Sequence, residues 1–171
     1  MAVLVVEDGN GLPNANSYAS VQDFKDFADL RVGVQVPADD VLVKSLATAT
    51  AWIDSNFANA FIGGHVFANQ ALEFPRSGFV DGEGYERPMG WMPPQLKKAV
   101  CILAVECNKG DPLYKNADGA ARVLIEDSVG PLITKYAAQN PNAITQERSF
   151  PEVVATLRPL MRGFGSLTVD R

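Results

Sequence analysis

The sequence predicts a mainly α fold: a small helical bundle of about four helices, with long loops, a β-hairpin or extended arm, and an extended C-terminal tail. Three observations carry this. Leu42, Leu46, Ala49, Ile53 and Phe57 recur at helical spacing and form one apolar stripe. Two further apolar helical patterns open on proline, at Pro93-Pro94 and at Pro151, where a missing backbone N–H costs a helix nothing. Between these patterns the chain is punctuated by turn formers, with 14 glycines and 11 prolines in all.

At 171 residues the chain has the length of one domain, long enough to bury a core. Hydrophobic residues make up 47% and charged residues 20%, which excludes a disordered, collagen-like or disulfide-scaffold protein. No apolar run is long enough to span a bilayer, and the start Met1-Ala2-Val3-Leu4-Val5-Val6-Glu7-Asp8 turns acidic at once, unlike a secretion signal. The formal charge is −5, unevenly spread: residues 1–96 hold five bases against 12 acids, and residues 97–171 hold ten against eight. That balance is poor for a nucleic-acid binder, whose affinity comes mainly from neutralising phosphates.

Along the chain, Val3 to Val6 is β-prone and runs into a turn cluster, Asp8-Gly9-Asn10-Gly11-Leu12-Pro13-Asn14. The two glycines invite comparison with a phosphate loop, but no lysine follows and neither nucleotide fingerprint is present, so an ordered loop is expected. Ser20 is a candidate N-cap with Asp23 as its capping-box partner, and Val21, Phe24, Phe27 and Ala28 share a face to about Leu30, with Gly33 ending the helix. Asp39 and Asp40 are expected to cap the second helix, roughly 40–57, with Trp52 packing beside its stripe.

Gly63-Gly64 then opens an irregular stretch to about Pro93. Asp81, Glu83 and Glu86 with interleaved glycines match only a fragment of a calcium loop, so a solvated turn is expected. The third helix buries Leu96, Ala99, Val100, Leu103 and Cys107 and stops at Gly110. Lys97 and Lys98, at its positive end, are expected to find water or an acidic neighbour, such as an adjacent copy. Val123, Ile125, Val129, Ile133 and Tyr136, around Gly130-Pro131, read as an arm or hairpin, marginal alone and steadier when added to another subunit's edge. Val153, Val154, Leu157, Leu160 and Met161 line the last helix, which Pro159 kinks or ends. The result is one domain over 1–171: a helical core at 1–110 holding the long loop 58–93, an arm at 111–150, and a C-terminal helix and docking tail at 151–171.

Candidate chemistry is sparse. Cys101 and Cys107 sit six apart on one helix, about 120° around it, and cannot bridge. They read as reduced thiols of a cytosolic product. One histidine, His65, and no second cysteine pair leave no metal-ligand set, and no cofactor is expected. No nucleophile elbow is present, and Glu7-Asp8 and Asp39-Asp40 read as turn and cap carboxylates, so no enzyme is expected.

Several motifs together carry a resemblance. Val5-Val6-Glu7-Asp8-Gly9, then Ala15-Asn16-Ser17-Tyr18 and the helix after it, resemble the start of phage head–tail connector (adaptor, head-completion) proteins, a family also labelled putative DnaT-like single-stranded-DNA-binding. Gln70-Ala71-Leu72-Glu73-Phe74-Pro75-Arg76-Ser77-Gly78 is similar to the family's most specific motif, where tryptophan is commoner than Phe74. Asp81 and Met92-Pro93 continue the match, and Val129-Gly130-Pro131 and Leu157-Arg158-Pro159-Leu160 extend it more thinly.

The resemblance implies a virion protein made in the host cytoplasm. It would form a homo-oligomeric, twelve-fold ring under the portal, connect it to the tail or the next connector protein, and continue the DNA channel without reading sequence or meeting a membrane. An acidic wall suits a lumen in which DNA slides. Physical roles follow for the motif: Phe74 and Pro75 anchor the loop, Arg76 staples it within its own subunit, Ser77 and Gly78 complete it, and Asn16 and Ser17, beside Tyr18, bond the turn before helix one. Leu157, Leu160, Met161, Phe164, Leu167 and Val169 are the expected portal contact, being an apolar segment too short to form a core alone. The alternative, a single-stranded-DNA-binding replication accessory protein, needs a basic groove with stacking aromatics. An assembly factor lost from the mature particle is a third reading.

Overall fold

The computed structural model describes residues 3–81, 84–110, 113, 124–126, 135–136 and 150–162. Four helices, α1 (Val21–Asp29), α2 (Asp39–Phe57), α3 (Pro94–Asn108) and α4 (Pro151–Leu157), alternate with short ladders. The strands are β1 (Gly64–His65), β2 (Arg76–Ser77), β3 (Leu124–Glu126) and β4 (Lys135–Tyr136), and a 3-10 turn, Arg158–Leu160, follows α4. Two compact units result, one of residues 1–113 and 150–171, the other of 114–149.

In the first unit α2 packs most extensively on α3, and α3 also receives α1 and α4. Leu42, Leu46, Ala49 and Ile53 of α2 and Leu96, Ala99, Val100 and Leu103 of α3 are buried in a common core. Burial of a Leu- or Ile-sized side chain stabilises by about 1.5–3 kcal/mol. Trp52 of α2 lies edge-on to Phe150, the residue before α4, at 5.1 Å.

The helix starts follow local chemistry. Ser20 caps α1 through a reciprocal capping box with Asp23. At α2 the expectation is corrected: Ala38 is the N-cap and accepts no role through its side chain, while Asp39 and Asp40 occupy the first turn. There they still favour the positive end of the dipole, and Asp39 pairs with Lys25 at 3.0 Å. Proline opens α3 and α4, and Pro159 converts the end of α4 into the 3-10 turn. Cys101 is the more buried thiol, 2% exposed, and Cys107 lies at the core's margin, because α3 is apolar over more of its circumference than the expected stripe. Burial pushes the Cys101 thiol up to about 12.

The C-terminal helix is zipped back onto the loop after α2. Phe61 bridges Met161, the Ile62 N–H donates to Leu160 O at 3.0 Å, and the Arg162 N–H to Ala60 O at 2.7 Å. The long loop is thus ordered rather than a free excursion: β1 and β2 pair antiparallel, Gly64 with Ser77 and His65 with Arg76, and the Phe74–Pro75 peptide is cis.

The second unit carries the expected hairpin. β3 and β4 pair antiparallel, Leu124 with Tyr136 and Glu126 with Lys135, with an irregularity between the pairs. Ile125 is central in β3; Val123, Val129 and Ile133 lie outside the described residues, as does the tail beyond Arg162.

One close approach explains two glycines. Gly9 sits at φ +101° and faces Gly90, so a Cβ on Gly9 would lie 2.1 Å from the Gly90 carbonyl oxygen. Gly9→Ala therefore combines a positive φ with a backbone clash, and should cost about 2–3 kcal/mol in a urea titration. Gly33→Ala, at φ +82° with open space around it, isolates the conformational part and should cost about 1 kcal/mol.

Candidate functional site

The motif around Phe74 is a hydrogen-bonded staple. Phe61, Phe74 and Phe79 are all but fully buried, and Phe61 meets Phe74 edge-on at 5.0 Å. Arg76 is 8% exposed and uses its whole fork. Nε donates to Ile62 O at 3.0 Å, Nη2 to Gly63 O at 3.0 Å, and Nη1 to Glu73 O at 3.3 Å and to the Glu73 carboxylate at 2.6 Å. Gln70 is as fully engaged: Oε1 accepts from the N–H of Val66 and Phe67, and Nε2 donates to Leu72 O and Pro75 O. Ser77 Oγ donates to Gly64 O, and His65 Nε2 lies 3.0 Å from Glu73 Oε2. The loop's polar groups are thus satisfied inside one chain, which removes the cost of burying them.

A second link ties this loop to α2. The Tyr18 hydroxyl donates to Asp54 Oδ1 at 2.7 Å and accepts from the Phe74 N–H at 3.2 Å, while Asp54 Oδ2 accepts from the Glu73 N–H at 3.3 Å. Burial pushes the Asp54 carboxyl up to about 6, opposed by the Tyr18 and Glu73 hydrogen bonds. Burial, with the Asp54 charge beside it, also holds the Tyr18 hydroxyl well above its ordinary range.

A third staple organises the N-terminal loop. Asn16 accepts from the Val5 N–H and donates to Val3 O, and Ser17 Oγ donates to Ala19 O. Glu7 is 1% exposed, and its carboxylate accepts three backbone N–H bonds, from Gly9 (2.9 Å), Gly11 (2.8 Å) and Leu12 (2.8 Å). The glycine pair does build an anion nest, and the anion in it is the chain's own.

A cleft of about 500 Å³ lies between α1 and α3. Asp26, Phe27, Leu30, Arg31, Lys98 and Cys101 are among its lining residues. Arg31 stacks over the Phe27 ring at 5.2 Å and pairs with Glu152. The acidic neighbour of Lys97 is Asp23 of the same chain, at 3.3 Å, rather than another copy. Burial raises the Asp23 carboxyl, but Ser20 and Lys97 outweigh it and leave the group below its ordinary range.

The expected portal stripe is corrected in part. Leu157, Leu160 and Met161 are 0%, 1% and 5% exposed and fill this chain's own core, because the pairing of Phe61 with Met161 folds the segment inward. Side chains so buried offer nothing to a partner. Phe164, Leu167 and Val169 lie outside the described residues.

The roles of Gln70 and Asp54 went unread in the sequence, and Glu7 was read as a turn carboxylate without the nest it fills. Glu7 carried one usable signal, a carboxylate two residues before a Gly-x-Gly turn; Asp54, beside Ile53 of the α2 stripe, carried none. Among the described residues no group of three His, Cys, Asp or Glu side chains could hold a metal ion, and none of the helices is long and apolar enough to cross a membrane.

Comparison with curated proteins and with solved structures returned no match. A family model described as "Putative DnaT-like ssDNA binding protein" matches residues 2–171, and over that nearly complete span the chain belongs to this family.

Proposed function

We propose that the protein is a non-catalytic structural component of a tailed-virus particle, an adaptor that forms a twelve-fold ring beneath the portal, joins it to the tail, and is made in the host cytoplasm. The motifs quoted above support the reading, and one structural observation carries it against nucleic-acid binding. Most of the described rings that a single-stranded-DNA binder would stack bases on are packed in the core. Among the described residues Tyr18, Phe24, Trp52, Phe61, Phe74, Phe79 and Phe150 are buried, Phe27, Phe57 and Trp91 are partly buried against the core, and Phe67 and Tyr85 are the exposed rings. The cations over Phe27, Phe61 and Trp91 are engaged by this chain's own acids: Arg31 by Glu152, Arg76 by Glu73 and Arg87 by Asp81. Stacking platforms beside open cations are what such binding requires.

Single-stranded-DNA binding is the second reading, favoured by the family's description and by the position of Arg31, Lys97 and Lys98 near Phe27. Quantitative mass spectrometry of purified virions tests the first: a copy number equal to the portal's is expected, and absence from the particle overturns it. A gel shift with single-stranded oligonucleotides at low salt tests the second. Tight, salt-sensitive binding that Lys97→Glu with Lys98→Glu abolishes would establish it; no shift is the result expected here.

A further inference from the structure

We propose that the cleft between α1 and α3 is a docking surface for a second copy of this chain, the two copies related by a two-fold axis. The inference does not rest on the connector reading. Leu30 and Val32 stand out at the end of α1, 90% and 105% exposed, the two most exposed large apolar side chains described. Leu30 also lines the cleft, whose floor reaches the buried Cys101. Exposed apolar knobs beside an apolar hollow mark a contact site.

Charge selects the occupant. The cleft carries both signs, on different elements: Asp26 on α1 and Lys98 on α3. Neither holds an ion pair among the described residues, whereas Lys97 and Arg31 are already matched by Asp23 and Glu152. A polyanion would be repelled by Asp26, and an acidic peptide would leave Asp26 without a cation. A second copy answers both charges: under a two-fold axis, Lys98 of each copy meets Asp26 of the other, while each Leu30 enters the opposite hollow. A patch that carries knob, hollow and both charges is complementary to itself, which is the condition for an isologous contact.

Sedimentation velocity on the full chain, over a concentration series, tests this. A monomer–dimer equilibrium is expected, and Leu30→Asp should raise its Kd by roughly tenfold or more. Because Leu30 is 90% exposed, that variant should keep its fold, checked by circular dichroism. Lys98→Glu should weaken the dimer and Asp26→Lys in the same chain should restore it. A chain monomeric at every concentration, an oligomer indifferent to Leu30→Asp, or a dimer unaffected by Lys98→Glu would each overturn the proposal. Loss of this dimer leaves a head-to-tail ring on a portal untouched, so the two readings fail separately.

Discussion

Glu7→Ala should cost about 4 kcal/mol, the largest loss among the polar substitutions argued for this protein. The carboxylate is the acceptor for three backbone N–H groups, those of Gly9, Gly11 and Leu12, in a loop where Glu7 itself is 1% exposed. Each buried donor left without a partner costs about 1–3 kcal/mol, and water entering the space recovers part of it. The damage spreads, because Leu12 O receives the N–H of Ala15 and of Ala71 and so ties this loop to the Gln70 staple. Glu7→Gln keeps one acceptor oxygen and sets an amide donor against a backbone donor, so it should lose less, about 2 kcal/mol. Thermal unfolding separates the two: about 10 °C down for Ala and about half that for Gln. Formate in excess should return part of the lost Tm to Glu7→Ala and none to the wild type, since only the variant has an empty nest. A Glu7→Ala protein as stable as the parent would mean the carboxylate's bonds add nothing net.

That nest also marks where the sequence stopped being readable. The helices were legible because each rests on a local pattern: the Ser20–Asp23 capping box, the α2 stripe, and prolines at the starts of α3 and α4. The Gly9–Gly11 pair was legible as an ordered turn rather than a phosphate loop, but that Glu7 folds back into it as the bound anion was not. The fate of Leu157, Leu160 and Met161 was hidden for a related reason. An apolar stripe on a short helix looks the same whether it meets a partner or its own chain, and the deciding contact, Phe61 with Met161, spans a hundred residues of sequence. Asp54 was hidden because a carboxylate on a helix is ordinarily solvated. Only the fold brings Tyr18 and Glu73 to it, across 36 and 19 residues.

Asp54 gives the second large effect, and its sign is unusual for a carboxylate. The folded protein holds this carboxyl at about 6, above its ordinary value near 4, chiefly because burial strips water from the charged form; the Tyr18 and Glu73 hydrogen bonds offset only part of that, the Glu73 charge adds to it, and His65 acts the other way. The folded state therefore binds a proton that the unfolded chain releases between about pH 4 and pH 6. This group's contribution is fully present below that window and is lost as the pH rises through it. Asp23, with a lowered carboxyl, acts oppositely and loses its contribution as the pH falls, so the raw stability curve mixes the two. The difference between variants isolates Asp54. Asp54→Asn cannot ionise, so relative to the wild type it should gain about 3 kcal/mol between pH 4 and pH 7, the equivalent of a two-unit shift. Urea titrations across that range measure it, and a difference that stays flat with pH would refute the assignment. Tyr18→Phe checks the cause: it removes the 2.7 Å hydrogen bond that pulls the carboxyl down, so its pH dependence should be larger in total than the wild type's and extend to higher pH.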